Sequence, residues 1–289
     1  MTRSWQIAVL ALISAVAFAG FAWPLVSDVA SAQVLAPVSA MTLLPALLVV
    51  AALALDSSIA NGRTVAMLGV LAGVATVLRV ASTGFGGFEL VFTVVILAAS
   101  VFGARFGFLL GLTTMLVSSL IWGGFGPWTA FQAFALAWVG AGAGLVGHVA
   151  PGRFAHHSAR HLWTRLSILA AYGVLASYAF GAVMNLWFWP IAVGSGTDIS
   201  FIPGAPILEN LQRFVGYSLV TSTLTWDTVR AATTVAGILL TGGIVLRALA
   251  RATTPRNTSP QGGGTQTRRS TVLDEVEVLP TAQHPHVQA

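Results

Sequence analysis

Four polar side chains stand where an apolar chain has least use for them. Gln132 and Asn185 lie within runs of aliphatic and aromatic residues, and Asp227 and Arg230 open another. An ionisable or amide group inside a membrane-spanning stretch is costly unless it is paired or used, so such residues point to a site. Near them are Arg79 and Glu89, on either side of the glycines of the turn GFGGFEL, and the indoles of Trp128 and Trp226. Trp128 and Gln132 are one helical turn apart, which puts a stacking surface and an amide with donors and an acceptor on one helix face. Asp227 and Arg230, at i and i+3, also suit a simple ion pair. Tryptophans at helix ends can equally be interfacial anchors. The chemistry of this set is recognition: aromatic faces, amides and charges that could hold a small polar molecule. Arg79, Glu89, Trp128, Gln132, Asn185, Trp226, Asp227 and Arg230 are the candidate substrate-binding residues.

Other chemistries lack their residues. There is no cysteine, hence no disulfide, thiolate ligand or thiol nucleophile. No GxxxxGK(S/T) loop is present to cradle nucleotide phosphates, so any ATP-driven step of that type would belong to another subunit. His156, His157 and His161 sit beside Arg153 and Arg160 without the acid of an HExxH arrangement, and a solvated basic loop is the better reading than a metal site. A serine elbow of the GxSxG type is missing, as is a pair of neighbouring aspartates suited to a magnesium diphosphate. The expectation is a protein without catalytic residues, bound metal or cofactor.

These residues must be positioned by membrane helices. The chain has 289 residues, 56% hydrophobic and 8% charged, against about 25% charged in soluble domains. A spanning helix needs about 20 mainly apolar residues. Eight candidate spans follow, near 5–25, 38–55, 64–82, 89–104, 106–122, 130–149, 164–190 and 228–249. The fourth and fifth are short and meet tightly around Gly103 and Arg105, as in a helical hairpin. All 14 basic residues are arginine. With the N-terminus inside, Arg79, Arg213 and Arg230 fall outside and the other eleven inside, a strong positive-inside bias. The basic character therefore reflects orientation in a cell membrane, not nucleic-acid binding.

The expected fold is an all-α, polytopic transmembrane helical bundle of about eight spans with both termini cytoplasmic. Residues 1–60 form two N-terminal spans, 61–251 a six-helix core, and 252–289 a polar cytoplasmic tail unable to bury a core. The first span also resembles a signal peptide, with Ala30-Ser31-Ala32 as a cleavage site, although Trp23 and Pro24 favour its retention. The long connection 191–227 carries Leu208, Leu211, Phe214 and Val215 at helical spacing. It reads as a lid or interfacial helix, or as a connector lying on the headgroups.

Small residues mark where helices can approach one another. Ala66, Gly69, Gly73 and Thr76 strip one face of the third span, for a partner helix of another subunit or of the same chain. Similar stripes occur at Ala11, Ala15 and Ala19, and at Gly140, Gly144 and Gly147.

From Arg63 to Arg251 the order of features resembles the substrate-binding S component of energy-coupling factor (ECF) vitamin transporters. The resemblance rests on the helix ending Leu78-Arg79, the turn GFGGFEL, the run from Leu97 to Gly111, the stretch GPWTAFQ, the segment VGAGAGLVG and the run from Thr221 to Ala231. It is most similar to actinobacterial members with two extra N-terminal spans. Ala104 stands where members often carry proline, and Gly69 and Gly73 stand where they carry alanines. The resemblance implies a six-helix core holding a vitamin-like molecule near its outer side. It also implies a transmembrane coupling subunit and two ATPase subunits as partners, the whole S component toppling within the complex. Cobalamin is the first substrate expected, ahead of flavins. The rivals are an autonomous secondary transporter, which would need a coupling-ion relay and usually two related halves, and a membrane-embedded enzyme or assembly protein.

Overall fold

The computed structural model describes residues 3–26, 62–82, 86–122, 124–150 and 159–253, and among them it is all-helical. The second expected span, the cleavage-site residues, the histidine-rich loop up to Ser158 and the tail after Thr253 lie outside the described residues. Helix α1 runs Arg3–Phe21 and a short turn, α2, Trp23–Val26. The core follows as α3 (Gly62–Ser82), α4 (Val91–Phe102), α5 (Ala104–Trp122), α6 (Pro127–Val149) and α7 (Ala159–Ala192), then α8 (Ile207–Ser218), a π-helical segment (Leu219–Asp227) and α9 (Thr228–Thr253). Five helices among the described residues are long and apolar enough to cross a membrane: α3, α5, α6, α7 and the continuous rod Ile207–Ala252.

α4 corrects the sequence reading, which counted 89–104 among the spans. Its 12 residues reach about 18 Å, short of the roughly 30 Å hydrocarbon core. It is instead an interior helix: Val91, Phe92, Val95, Ile96, Leu97, Ala98 and Ala99 are all sealed from solvent. Gly103, at φ +98°, links it to α5 in a single residue, a left-handed conformation that favours glycine. The buried Arg165 of α7 donates to the Ser100 carbonyl at 2.8 Å, satisfying an acceptor in the last turn of α4.

The glycine stripe Gly140, Gly144 and Gly147 is consumed within the chain. A Cβ on Gly140 would collide with the Gly107 backbone, one on Gly144 with Gly103 and Ala104, and one on Gly147 with Ser100. Backbones of α5 and α6 thereby touch, the close approach that small residues permit in a membrane. The N-terminal helix packs on the opposite flank of α6 with Ile13, Ala17 and Phe21, and Ala11, Ala15 and Ala19 face outward. Phe21 meets Phe131 edge-on at 4.9 Å, and the Trp138 indole donates to Ser14.

The greatest departure from the sequence reading lies in 191–227. Only residues 193–206 are non-helical; from Ile207 the chain runs without a break through the π segment into α9. Nothing in Ser218–Asp227 breaks a helix, since it contains neither glycine nor proline. The short connector is pinned: Trp189 Nε1 donates to Ile199 O, and Asn210 bonds both backbone groups of Ile202. Arg213 donates to the carbonyls of Thr197 and Asp198. A 46-residue rod is about 69 Å long, more than twice the hydrocarbon thickness. Its amphipathic first part, with Ile207, Leu208, Leu211 and Val215 exposed, fits an interfacial position.

Candidate functional site

Arg79 ends α3, Glu89 precedes α4, Gln132 lies early in α6, Asn185 late in α7, and Arg230 early in α9. Successive core helices alternate in direction, so these positions converge at one end of the bundle, around a cavity of about 400 Å³. Arg63, Arg105, Arg160, Arg165, Arg247 and Arg251 occupy the other ends of the same helices.

Arg230 organises the cavity. Its guanidinium donates from Nε and Nη2 to the two Glu89 oxygens at 3.1 and 3.3 Å. From Nη1 it donates to Asp227 Oδ1 at 2.6 Å and Ser177 O at 3.2 Å. The group lies 4.9 Å from the centroid of the Phe180 ring and 5.5 Å from that of Phe92, where ring quadrupoles add cation–π attraction. All three nitrogens of the Arg230 guanidinium are therefore engaged within the protein. Asp227 is 1% exposed and Glu89 28%. Breaking a buried pair by removing one member typically costs about 3–5 kcal/mol, because the remaining charge is left uncompensated.

The π segment supplies the rest of this network. Its wider winding brings residues five apart onto one side, as the i,i+5 bond from Ser222 Oγ to Asp227 Oδ2 at 2.9 Å demonstrates. Asn185 Nδ2 donates to Ser222 Oγ at 2.6 Å and Ser218 Oγ at 2.8 Å. One chain of hydrogen bonds thus joins α7, the π segment, α9 and the turn bearing Glu89. Two glycines allow it. A side chain at Gly181 would occupy the Asp227 carboxylate, and one at Gly87, φ +90°, would run into the Trp226 backbone.

Across the cavity, Arg79 donates to Ser118 Oγ at 3.0 Å and Gln132 Oε1 at 3.2 Å. Apolar walls come from Phe92, Met115, Leu136, Phe180 and Met184. Tyr217, Thr221 and Trp226 complete the rim from the α8–α9 rod. Within 191–227 it is the helical part that lines the cavity, and no residue of 193–206 does so.

Seven of the eight expected residues share this cavity; Trp128 does not. It lies half exposed on the first turn of α6, its ring folded over Gly126. That turn is fixed by Pro127 at the first helical position and by the Gly126 N–H bonded to Thr129 Oγ1. Trp128 instead borders a separate apolar cavity of about 250 Å³ with Met184, Trp187 and Phe188. Helical spacing placed it one turn from Gln132, but side-chain direction took it elsewhere.

The proposed small face of α3 is divided. Ala66, Gly69 and Gly73 are exposed, and a Cβ added at either glycine meets nothing among the described residues. Thr76 is 3% exposed and turned into the bundle.

Sequence reasoning missed Phe92, Phe180, Ser218 and Ser222 as site residues. The available signal was the hydroxyl-rich run Ser218–Thr225 in an apolar setting. Among the described residues, no group of three or more His, Cys, Asp or Glu side chains forms a metal site. The chain matches no family model, no curated protein and no solved structure in comparisons with known proteins.

Proposed function

We propose that this chain is the substrate-capture subunit of an ATP-driven micronutrient importer of the ECF type, multi-pass in the plasma membrane with both termini cytoplasmic. The observation that carries the reading is the cavity of about 400 Å³, built from all the core helices at one end of the bundle around a buried charge network. Pockets that enclose small ligands run from about 300 to 1,000 Å³. A molecule wholly held here is of small-vitamin size; a corrinoid would extend beyond the cavity.

Orientation supports capture from outside. Arginine-rich helix ends face the cytoplasm under the positive-inside rule, which leaves the cavity at the outer side. The exposed Ala66–Gly69–Gly73 face of α3 is the proposed contact with the transmembrane coupling subunit, where missing side chains let a partner helix approach. Two ATPase subunits supply the energy. A secondary transporter would instead couple an ion gradient to movement of the same ligand.

Affinity capture from native membranes tests the partnership. Tagged chain solubilised in mild detergent is expected to bring down an apolar membrane subunit and ATPases bearing phosphate-binding loops. Recovery of the chain without any ATPase, under conditions that preserve other transporter complexes, would contradict the proposal.

A further inference from the structure

The hydrogen-bond directions in the cavity specify what its ligand must present. Arg79 can only donate, so the oxygen of Gln132 faces it and the Gln132 NH₂ is left over. Asp227 is a carboxylate bonded to Arg230 and accepts from Ser222; the Ser222 oxygen must then accept from Asn185 Nδ2. Both N–H groups of Asn185 are engaged, by Ser222 and Ser218, so its carbonyl oxygen is left over. Charged groups at each end of these chains therefore fix amide orientations that are otherwise ambiguous.

Among the described residues neither leftover atom has a hydrogen-bond partner, and neither is among the sealed, unpartnered polar atoms. Both residues line the cavity. One wall, from α6, thus offers a donor pair, and another, from α7, offers an acceptor. The formal charges lining the cavity are Arg79, Arg230, Glu89 and Asp227, two of each sign. A buried ion without a compensating charge is heavily penalised, so a balanced site disfavours a ligand bearing net charge.

We infer that, on the capture-subunit reading, the ligand is an uncharged, flat molecule with an amide-type edge, a carbonyl for Gln132 and an N–H for Asn185, its ring held against Phe180 and Met184. A carboxylate would bring no donor for Asn185, and an amidinium no acceptor for Gln132. Arg230 serves this site as a positioning residue, four of its five N–H groups being engaged by Glu89, Asp227 and the Ser177 carbonyl.

Benzamide, benzoate and benzamidine share one ring and differ in the group that matters. Saturation-transfer NMR on the purified full chain in detergent, with empty micelles subtracted, is expected to show benzamide binding on the order of tenfold or more above the other two. Gln132→Glu, which keeps the acceptor for Arg79 but removes the donor pair, and Gln132→Leu should each abolish that preference while leaving the thermal unfolding transition in place. Benzoate or benzamidine binding as well as benzamide, no benzamide signal, or an unchanged preference in both folded variants would overturn the inference. Benzoate preference together with ATPase-dependent vitamin uptake would leave the capture reading standing with a charged ligand. Benzamide preference without such uptake would keep the site chemistry and remove the capture reading.

Discussion

At the scale of single residues, Asp227 and Gln132 separate structure from recognition. Asp227 is sealed against Arg230 and Ser222, so Asp227→Asn leaves the buried guanidinium with one carboxylate. The expected loss is about 3 kcal/mol of stability, read as a lower midpoint in thermal unfolding of the detergent-solubilised protein. Gln132→Ala removes a side chain whose only hydrogen bond among the described residues is the 3.2 Å contact from Arg79, and its effect on the midpoint should stay small. Equal destabilisation by both would mean that the Arg79–Gln132 pair is as structural as the ion pair. The polar members of the cavity were legible in the sequence because charged and amide groups are rare in an apolar chain and must go somewhere specific. Phe92 and Phe180 were not legible: phenylalanine is abundant here, and only packing against Arg230 distinguishes them. Trp128 lies apart from the other seven for a different reason, since spacing fixes the position of a Cβ but not the direction of a long side chain.

At the scale of elements, glycine contacts decide which faces are used and which remain open. Gly140 touches the Gly107 backbone, whereas Gly69 and Gly73 meet nothing among the described residues. Gly140→Leu is therefore expected to destabilise the isolated subunit by more than about 2 kcal/mol through overpacking, measured by thermal unfolding. Gly69→Leu and Gly73→Leu should fold normally but reduce recovery of the ATPase complex in affinity capture. Normal assembly by both α3 variants would show that this face is not the coupling surface. In sequence the two stripes look alike, because small residues announce that something can come close without naming the partner. The helices from Ile207 to Thr253 show a related limit. The amphipathic pattern from Ile207 was readable, but its continuation through a π turn into α9 was not. That turn brings together side chains five residues apart, such as Ser222 and Asp227, a spacing that simple helical periodicity does not contain.

At the scale of the whole molecule, the proposed orientation rests on charge and the cavity on helix direction. Ala159 opens the 34-residue helix α7 and Ser195 lies just past its other end, and both are exposed. Since the chain has no cysteine, Ala159→Cys and Ser195→Cys can be labelled singly with an impermeant maleimide in intact cells. Ser195→Cys should react and Ala159→Cys should react only after lysis; the reverse would place the cavity at the cytoplasmic side. The central claim is that this chain captures its ligand but depends on ATPases to move it. Purified chain is reconstituted into liposomes, alone or with its captured coupling and ATPase subunits, and supplied with a mixture of water-soluble vitamins. Mass spectrometry of the lumen should find one vitamin concentrated above the external level only when the full complex and ATP are present. Concentration of a vitamin by the chain alone, driven by an ion gradient, would contradict the account.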